Sequence, residues 1–343
     1  MALNERQLQV LEAVIESYVR TAEPAGSRTI SKLSGLGLSP ASIRNIMSDL
    51  EELGYLYHPH TSAGRIPTDR AYRLYVDAMM RPPKITASHD QQLREELASE
   101  RTTALDQILS RAAKVLGLLT NELGVAVTPT LDAAVLERLE LLQVSAERLM
   151  LVLTLKSGVV RTIFVEVPSH LAPDLLAELT LRLNERLAGL SLRDIRATLS
   201  DRLRDMAPDP NTGELVNIFI QEAGELFDVP GGEREGVLLG STRQLTDQPE
   251  FATKESLQGL IGVTERRDLL REALATRMAQ GVTVTIGSEH TDPTLAPFTI
   301  VTSAYRTGPL SGVIGVMGPT RMPYDKIVAL VDHTSRLVGD LLQ

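Results

Sequence analysis

The sequence contains no cysteine, and this absence excludes disulfide bonds, zinc sites with cysteine ligands and any thiol redox switch. It also has no apolar run long enough to span a bilayer, and its first residues are polar and amphipathic, unlike a signal peptide. We therefore expect a cytoplasmic protein that makes no membrane contact. With 343 residues, 43% of them hydrophobic, the chain is long enough for two or three domains with sizeable cores.

Side chains typical of catalytic and metal sites are sparse. The six histidines are scattered, and His58 and His60 have no further metal ligands beside them in the chain. Ser288, Glu289 and His290 are residue types found in catalytic sites, but neighbours at the end of one strand rarely converge on a substrate. We therefore expect no catalytic residue, no metal and no cofactor, and we do not predict an enzyme.

The net charge of −9 is unusual for a protein that binds nucleic acid, but the basic residues are unevenly distributed. Residues 24–75 contain six basic and four acidic side chains, a net charge of +2, so the rest of the chain carries −11. A positive surface can therefore exist locally on an acidic protein. A net charge of only +2 predicts few phosphate contacts per protomer. Useful affinity would then need a dimer that binds two half-sites.

The first 38 residues predict two helices and a tight turn. Apolar residues recur at helical spacing over residues 4–21, and Glu23 and Pro24 end that helix. Ser27 is predicted to cap a short second helix over residues 28–34. The glycine-rich residues 35–38 then form a turn into a third helix.

The third helix has the strongest start signal in the chain. Ser39 is a good N-cap, Pro40 suits the first helical position, and Gly54 is placed to end the helix in a left-handed conformation. Ile43, Ile46, Met47, Leu50 and Leu53 form its apolar face, and its opposite face carries Ala41, Arg44, Asn45, Ser48 and Glu52. A small, polar outer face with Arg and Asn near the N-terminus suits a helix that enters the DNA major groove.

A short hairpin is predicted after this helix. Residues 55–57 form its first strand, Gly64 is available for a positive φ in the loop, and Ile66 begins the return strand. Thr68 then caps a helix over residues 69–80. We call this hairpin, which spans residues 55–67, the wing. Three helices and a wing predict a winged helix-turn-helix. Such patterns also occur in protein–protein modules and in enzymes that retain a winged domain.

The rest of the chain predicts an antiparallel α+β domain. Residues 81–84 form a stiff linker, and a long helix over residues 90–123 serves either as a core helix or as a dimer contact. Three strands follow from residue 139, and strands at 281–287, 298–306 and 311–318 precede a terminal helix over 324–342. Residues 192–270 differ from the flanking segments, because turn-rich stretches there separate short predicted helices.

A turn near the C-terminus offers one candidate ligand site. Gly318, Thr320 and Arg321 lie where a strand leads into a helix, so an anion or effector could be held at the helix N-terminus. The spacing of Gly312, Gly315 and Gly318 does not fit a dinucleotide fingerprint. Close packing of strand glycines is the favoured alternative.

Two long blocks of sequence carry a family resemblance. The block LSPASIRNIMSDLEELGYLYHPHTSAGRIPTDRAYRLYVDAMM (38–80) resembles the N-terminal signature of the heat-inducible transcription repressor family HrcA. The block GPLSGVIGVMGPTRMPYDKIVALVDHTSRLV (308–338) resembles that family's closing signature, and LNERLAGLSLRDI (183–195) is a weaker match. The resemblance implies three domains: a winged helix-turn-helix (1–82), a discontinuous GAF-like domain (88–191 and 271–343) and an inserted dimerisation domain (192–270).

The resemblance further implies a homodimeric repressor of heat-shock operons that binds an inverted-repeat, double-stranded operator of the CIRCE type and depends on the GroE chaperonin. Base contacts are expected from Ser42, Arg44, Asn45 and Ser48. Phosphate contacts are expected from Ser27, Arg28, Thr29 and Ser39, and wing contacts from Thr61, Ser62 and Arg65. The alternatives are a regulator gated by a small molecule in the GAF-like domain and, third, an enzyme that carries a winged domain.

Overall fold

The computed structural model describes residues 3–60, 64–98, 105–129, 134–156, 158, 160–167, 172–204, 236–275, 281–307 and 310–342. Helices and sheets are segregated, and every strand pair within these ranges is antiparallel. The predicted α+β class is therefore confirmed. Within the same ranges, no helix has both the length and the apolar character needed to cross a membrane.

The N-terminal unit, residues 3–80, has the predicted order of three helices, a hairpin and a fourth helix. Asn4 starts the first helix with a capping box shared with Gln7, and Ser39 starts the third by accepting a hydrogen bond from the Ser42 amide. Gly54 follows the third helix with φ 77°. The elements are α1 (Glu5–Thr21), α2 (Ser27–Leu33), α3 (Pro40–Glu52), β1 (Leu56–Tyr57), β2 (Ile66–Pro67) and α4 (Asp69–Leu74), which continues as a π-helix (Tyr75–Met79).

The single long helix predicted over residues 90–123 is wrong. Two helices occupy this stretch, α5 (Ala87–Ala98) and α6 (Leu105–Thr120), and β3 (Leu123–Val127) follows them. All five residues of β3 are buried, so the strand has no alternation of apolar and polar residues. Periodicity cannot separate such a strand from the end of a buried helix.

A five-stranded sheet forms the centre of the molecule, with strand order β7-β3-β10-β9-β8. The helices α6 and α12 pack on one face of it and share a hydrophobic core with the N-terminal unit. The other face packs against residues 245–274, where Phe251 stacks on Phe298 with ring centroids 5.7 Å apart. The remaining elements of this central unit are β7 (Val237–Leu239), α9 (Arg243–Thr246), α10 (Lys254–Glu265), α11 (Arg267–Ala275), β8 (Thr283–Ile286), β9 (Phe298–Thr307), β10 (Leu310–Pro319) and α12 (Tyr324–Leu341).

A separate three-stranded sheet with order β4-β5-β6 forms a third unit. Two helices cover one of its faces, and the leucine-rich core between them is distinct from the cores of the central unit. Gly158 has φ 80° between the second and third strands, a backbone conformation that favours glycine. The elements are β4 (Leu136–Ser145), β5 (Arg148–Leu155), β6 (Val160–Glu166), α7 (Pro173–Leu187) and α8 (Leu192–Leu203).

The two sheets divide the chain differently from the expected boundaries. The strands at 136–166 were expected in one domain with residues 271–343, but they pair only with each other among the described strands. Residues 236–270 were expected in the insert, but β7 pairs with β3, and α11, which begins at Arg267, packs beside them. Strand periodicity reveals burial and not pairing partners, so the sequence alone did not place these segments.

Candidate nucleic-acid interface

Helix α3 presents two chemically different faces. Ile43, Met47 and Leu50 are buried, with at most 3% exposure, and anchor the helix in the core of the N-terminal unit. The exposed face carries all four side chains that were expected to reach base edges: Ser42, Arg44, Asn45 and Ser48. A rigidly anchored helix with a small, polar, exposed face has the chemistry needed to read the major groove.

The start of α2 differs from the prediction in one detail. Gly26, and not Ser27, is the N-cap residue, and no side chain caps the helix. Ser27 is half-buried in the first turn, whereas Arg28 and Thr29 are exposed. These side chains and the free amides of the first turn lie where a phosphate could be bound.

The turn between α2 and α3 is fixed by its own contacts. The Ser31 hydroxyl donates to the carbonyl of Leu38 at 2.9 Å. Gly35 and Gly37 adopt φ of 61° and 66°, a region that side chains with a Cβ disfavour. The turn therefore holds Ser39, which is exposed, at a defined position before α3.

Glu51, a residue not singled out from the sequence, ties the wing to α3. Its carboxylate contacts His58 Nδ1 at 2.6 Å and the Arg65 guanidinium at 2.9 Å. The two partners lie on either side of the hairpin loop. Arg65 is only 14% exposed, so its side chain supports the wing from beneath instead of extending from its tip.

The base of the wing is also attached to the segment before α2. Ala25 and Arg65 exchange two backbone hydrogen bonds of 2.9 Å. The predicted positive φ at Gly64 is wrong, because this glycine does not adopt a left-handed conformation. It is required for close approach: a Cβ there would lie 2.4 Å from the carbonyl carbon and oxygen of Ala25. The predicted wing residues Thr61 and Ser62 lie outside the described residues.

Half of the basic side chains in residues 24–75 are engaged in contacts within the protein. Arg65 pairs with Glu51, Arg73 pairs with Glu289, and Arg70 donates to the Leu53 carbonyl at 2.8 Å. The other three make no ion pair with any part of the chain that the structure describes: Arg28, Lys32 and Arg44. Lys32, exposed at the end of α2, is a basic residue of this surface that the sequence-based site prediction does not include.

The turn expected to hold an anion has other partners. The Arg321 guanidinium contacts Glu250 at 2.5 and 3.0 Å and donates to the Val19 carbonyl at 2.8 Å. Gly318 packs against Glu122, since a Cβ at this glycine would lie 2.0 Å from Glu122 Oε2. Thr320 contributes its carbonyl, which accepts from the Tyr324 hydroxyl at 2.6 Å. An anion here would lie beside two acids, so these contacts favour a structural turn.

Close packing also accounts for a glycine in strand β10, which leads into this turn. A Cβ at Gly315 of β10 would lie 2.0 Å from the Val301 carbonyl oxygen of β9. The close-packing interpretation of the strand glycines therefore fits the structure. Among the described residues, no group of three or more His, Cys, Asp or Glu side chains is arranged to hold a metal ion.

A family model and the sequence relatives of the chain point to the same family. The family model for the HrcA protein C terminal domain matches residues 106–328. The chain is 39% identical over 345 residues to a heat-inducible transcription repressor HrcA of Chlorobium phaeobacteroides (strain BS1), covering 96% of each chain. It is 34% identical over 344 residues to the protein of that name from Geobacter sulfurreducens, covering 99% and 98%. A crystal structure of a hypothetical protein shares the fold, with TM-score 0.60, 23% identity and 99% coverage of each chain.

Proposed function

Because the chain belongs to the HrcA family of heat-inducible transcription repressors, we propose that it represses chaperonin and related heat-shock operons by binding an inverted-repeat operator of the CIRCE type as a homodimer. In this proposal the N-terminal unit is a winged helix-turn-helix domain and the central unit is the GAF-like domain. The observation that carries it is the exposed face of α3, which presents the polar side chains of Ser42, Arg44, Asn45 and Ser48 and no large apolar side chain beside them.

Each exposed side chain is assigned a contact by its chemistry. Arg44 suits the two acceptors of guanine and Asn45 suits the acceptor and donor of adenine, with Ser42 and Ser48 at adjacent base edges. The phosphate contacts are assigned to Ser27, Arg28, Thr29, Lys32 and Ser39, and the wing contacts to Thr61 and Ser62. We assign Arg65 a supporting role, because its guanidinium pairs with Glu51.

A gel-shift assay at fixed salt tests this assignment. Arg44→Ala is expected to weaken operator binding by roughly 1–3 kcal/mol, about 5- to 150-fold, and to relax base preference at one operator position. Arg94→Ala is the matched control, because Arg94 is an exposed arginine whose partner Asp90 lies on α5, in another part of the molecule. If both variants bound the operator as tightly as the unsubstituted protein, α3 would not be the reading helix.

An exposed apolar sheet face supports the homodimer. The face of β4-β5-β6 that α7 and α8 do not cover carries Val160, Phe164, Leu142 and Val144, which are 58%, 53%, 46% and 55% exposed. Leu142, Met150 and Phe164 are cross-strand neighbours and form a continuous row. Contiguous apolar surface of this kind is typical of protein interfaces. We therefore assign the dimer contact to this face, ahead of residues 192–270.

Sedimentation velocity distinguishes this dimer surface from the rest of the unit. Phe164→Glu is expected to shift the chain toward monomer, because two carboxylates would face each other across the symmetric contact. Leu181→Glu is the control, since Leu181 is 62% exposed but lies on α7, which covers the opposite side of the sheet. Equal dimerisation of both variants would place the contact elsewhere.

Dependence on the GroE chaperonin is part of the same proposal. Its physical support is Glu122, a carboxyl group that is 3% exposed and whose pKa burial raises to about 8. A buried carboxyl of this kind lowers the stability of the folded state near neutral pH, so the active fraction becomes sensitive to folding assistance. Operator binding after refolding, measured with and without chaperonin, is expected to be higher with it, and equal recovery would exclude this control.

The contacts of the turn at Gly318, Thr320 and Arg321 argue against control by a small molecule bound there. The side chain of Arg321 is engaged there by Glu250. The buried carboxyl of Glu122 lies directly against Gly318. An effector would have to displace both, and no contact in the described structure favours that exchange.

A further inference from the structure

The N-terminal unit is attached to the central unit by a first group of polar contacts at α4. Arg73 donates to both carboxylate oxygens of Glu289 at 2.7 and 2.5 Å and to the Val284 carbonyl at 2.7 Å. Asp69 accepts two hydrogen bonds of 2.9 Å, from the amide and the hydroxyl of Ser288. These paired contacts, which we call the α4 clasp, join residues more than 200 positions apart.

The α4 clasp keeps its charge at neutral pH. Partial burial by itself raises the pKa of Glu289, but hydrogen bonds from Arg73 and from the Ile286 amide outweigh it and lower the pKa. The bidentate pairing of a planar guanidinium with a carboxylate also fixes their relative orientation. Glu289 and Ser288 were dismissed as catalytic residues, and this contact gives them a structural role.

A second clasp lies at the C-terminal end of α1. Arg321 donates to the Val19 carbonyl at 2.8 Å, and its remaining nitrogens contact Glu250. Val19 is in the last turn of α1, where backbone carbonyls have no partner within the helix. Arg321 therefore caps α1 from 302 positions away, and we call this contact the α1 clasp.

An apolar contact fills the space between the two units. The rings of Tyr72 and Tyr324 lie 5.5 Å apart, and both side chains are at most 2% exposed. The cores of the two units are continuous around this pair. A buried centre flanked by oriented ion pairs is the anatomy of a specific interface.

The clasps lie apart from the surface assigned to DNA. They use α1, α4 and the central unit, and none of their residues belongs to α3, α2 or the wing. The Ser42, Arg44, Asn45 and Ser48 side chains remain exposed while both clasps are formed. The arrangement is therefore compatible with DNA binding, and it holds the reading helix at one angle to the body of the protein.

We propose that Arg73 and Arg321 are positioning residues that fix the orientation of the N-terminal unit on the central unit and thereby set the half-site spacing that the dimer accepts. This inference rests on the proposed operator-binding function. A dimer reads two half-sites that must face its two recognition helices, and a DNA turn takes about 10–10.5 base pairs. Inserting five base pairs between the half-sites rotates one of them by about half a turn. Two N-terminal units held at fixed angles cannot then contact both half-sites at once.

The clasp variants keep the apolar contact around Tyr72 and Tyr324 but lose the ion pairs and hydrogen bonds that orient the two units, which residues 80–86, neither helix nor strand, connect covalently. The N-terminal unit is then held less firmly at one angle, and only a fraction of its orientations fits the native operator. Apparent affinity falls in proportion to that fraction, so a fraction of about 1–10% gives a loss of about 10- to 100-fold. Binding to a single half-site does not depend on orientation and is expected to be unchanged.

Gel shifts on three duplexes test the proposal: the native inverted repeat, the same repeat with five inserted base pairs, and one half-site. The variants are Arg73→Ala, Arg321→Ala and their combination, with Arg336→Ala as the control. Arg336 forms an exposed ion pair with Asp332 within α12 and contacts no other unit through it. We expect the clasp variants to lose affinity for the native repeat and to show a smaller penalty for the insertion, while the half-site affinity stays constant.

The charge-reversed pair Arg73→Glu with Glu289→Arg provides the rescue. The reversed pair is expected to recover much of the spacing preference that Arg73→Glu alone removes. If Arg73→Glu acted only by destabilising the fold, the second substitution would not restore that preference. An unchanged insertion penalty in the double clasp variant, or an equal loss on the half-site, would overturn the proposal. Failure of the unsubstituted protein to distinguish the inverted repeat from scrambled DNA would instead overturn the proposed function.

Discussion

Replacement of the buried Glu122 by glutamine is expected to change how stability depends on pH. Glu122 lies between α6 and β3, and its Oε2 accepts from Gln248 Nε2 at 3.0 Å. Burial raises its pKa from 4.5 to about 8, against the opposing effects of the Gln248 hydrogen bond and the Arg321 charge, while Glu250 adds to the rise. Glutamine keeps the acceptor for Gln248 and removes the ionisable group.

The direction and size of the effect follow from the two pKa values. Below about pH 4.5 the carboxyl group is protonated in both the folded and the unfolded chain, so Glu122 causes no pH dependence there. Between 4.5 and about 8 unfolding releases a proton, so the free energy of unfolding falls as the pH rises, and the loss is complete above pH 8. At about 1.36 kcal/mol for each pH unit, the shift from 4.5 to about 8 corresponds to a full loss of roughly 5 kcal/mol.

Urea unfolding followed by circular dichroism between pH 4.5 and 9 measures this difference. The advantage of Glu122→Gln over the unsubstituted protein is expected to grow steadily with pH and to level off above pH 8. Glu137→Gln is the control, because Glu137 is exposed on β4 and its substitution should change stability by less than about 0.5 kcal/mol throughout. An advantage that does not vary with pH would contradict this expectation, since it would show that Glu122 does not titrate in this range.

Three further substitutions test the local structure. Ser39→Ala removes the hydroxyl that accepts from the Ser42 amide at 3.1 Å and should lower the free energy of unfolding by about 1 kcal/mol in urea titrations; an unchanged midpoint would contradict the cap. Gly64→Ala forces a Cβ to within 2.4 Å of the Ala25 carbonyl and should cost roughly 1–3 kcal/mol, with weaker operator binding in gel shifts; normal binding would show that the wing tolerates displacement. Gly318→Ala forces a Cβ to 2.0 Å from Glu122 Oε2 and should lower the melting temperature, less so when Glu122 is shortened to Ala; additive effects in that double-mutant cycle would argue against the contact.

Local signals made the N-terminal unit the most predictable part of the chain. Ser39, Pro40 and Gly54 define α3 by cap chemistry and backbone preference, which depend only on neighbouring residues. Helical periodicity likewise separated the buried Met47 from the exposed Arg44. The face proposed to contact DNA could therefore be predicted from sequence, apart from the contribution of Lys32.

Long-range contacts were not predictable in the same way. Arg65 and Arg321 were interpreted as ligand-facing cations, because a sequence shows the charge of a side chain and not its partner. Their partners, Glu51 and Glu250, lie 14 and 71 positions away and are brought close only by the fold. The pairing of β3 with β7 across more than 100 residues has the same origin, since strand patterns carry no information on register between distant segments.

Whether α3 reads an inverted repeat is decided by a comparison of two duplexes. Affinity for a duplex carrying the inverted repeat from the chain's own chaperonin promoter is compared, at one fixed salt concentration, with affinity for a scrambled duplex of the same length and composition. We expect binding to the repeat to be at least about 10³-fold tighter than binding to the scrambled duplex. Equal affinity for the two duplexes would contradict it.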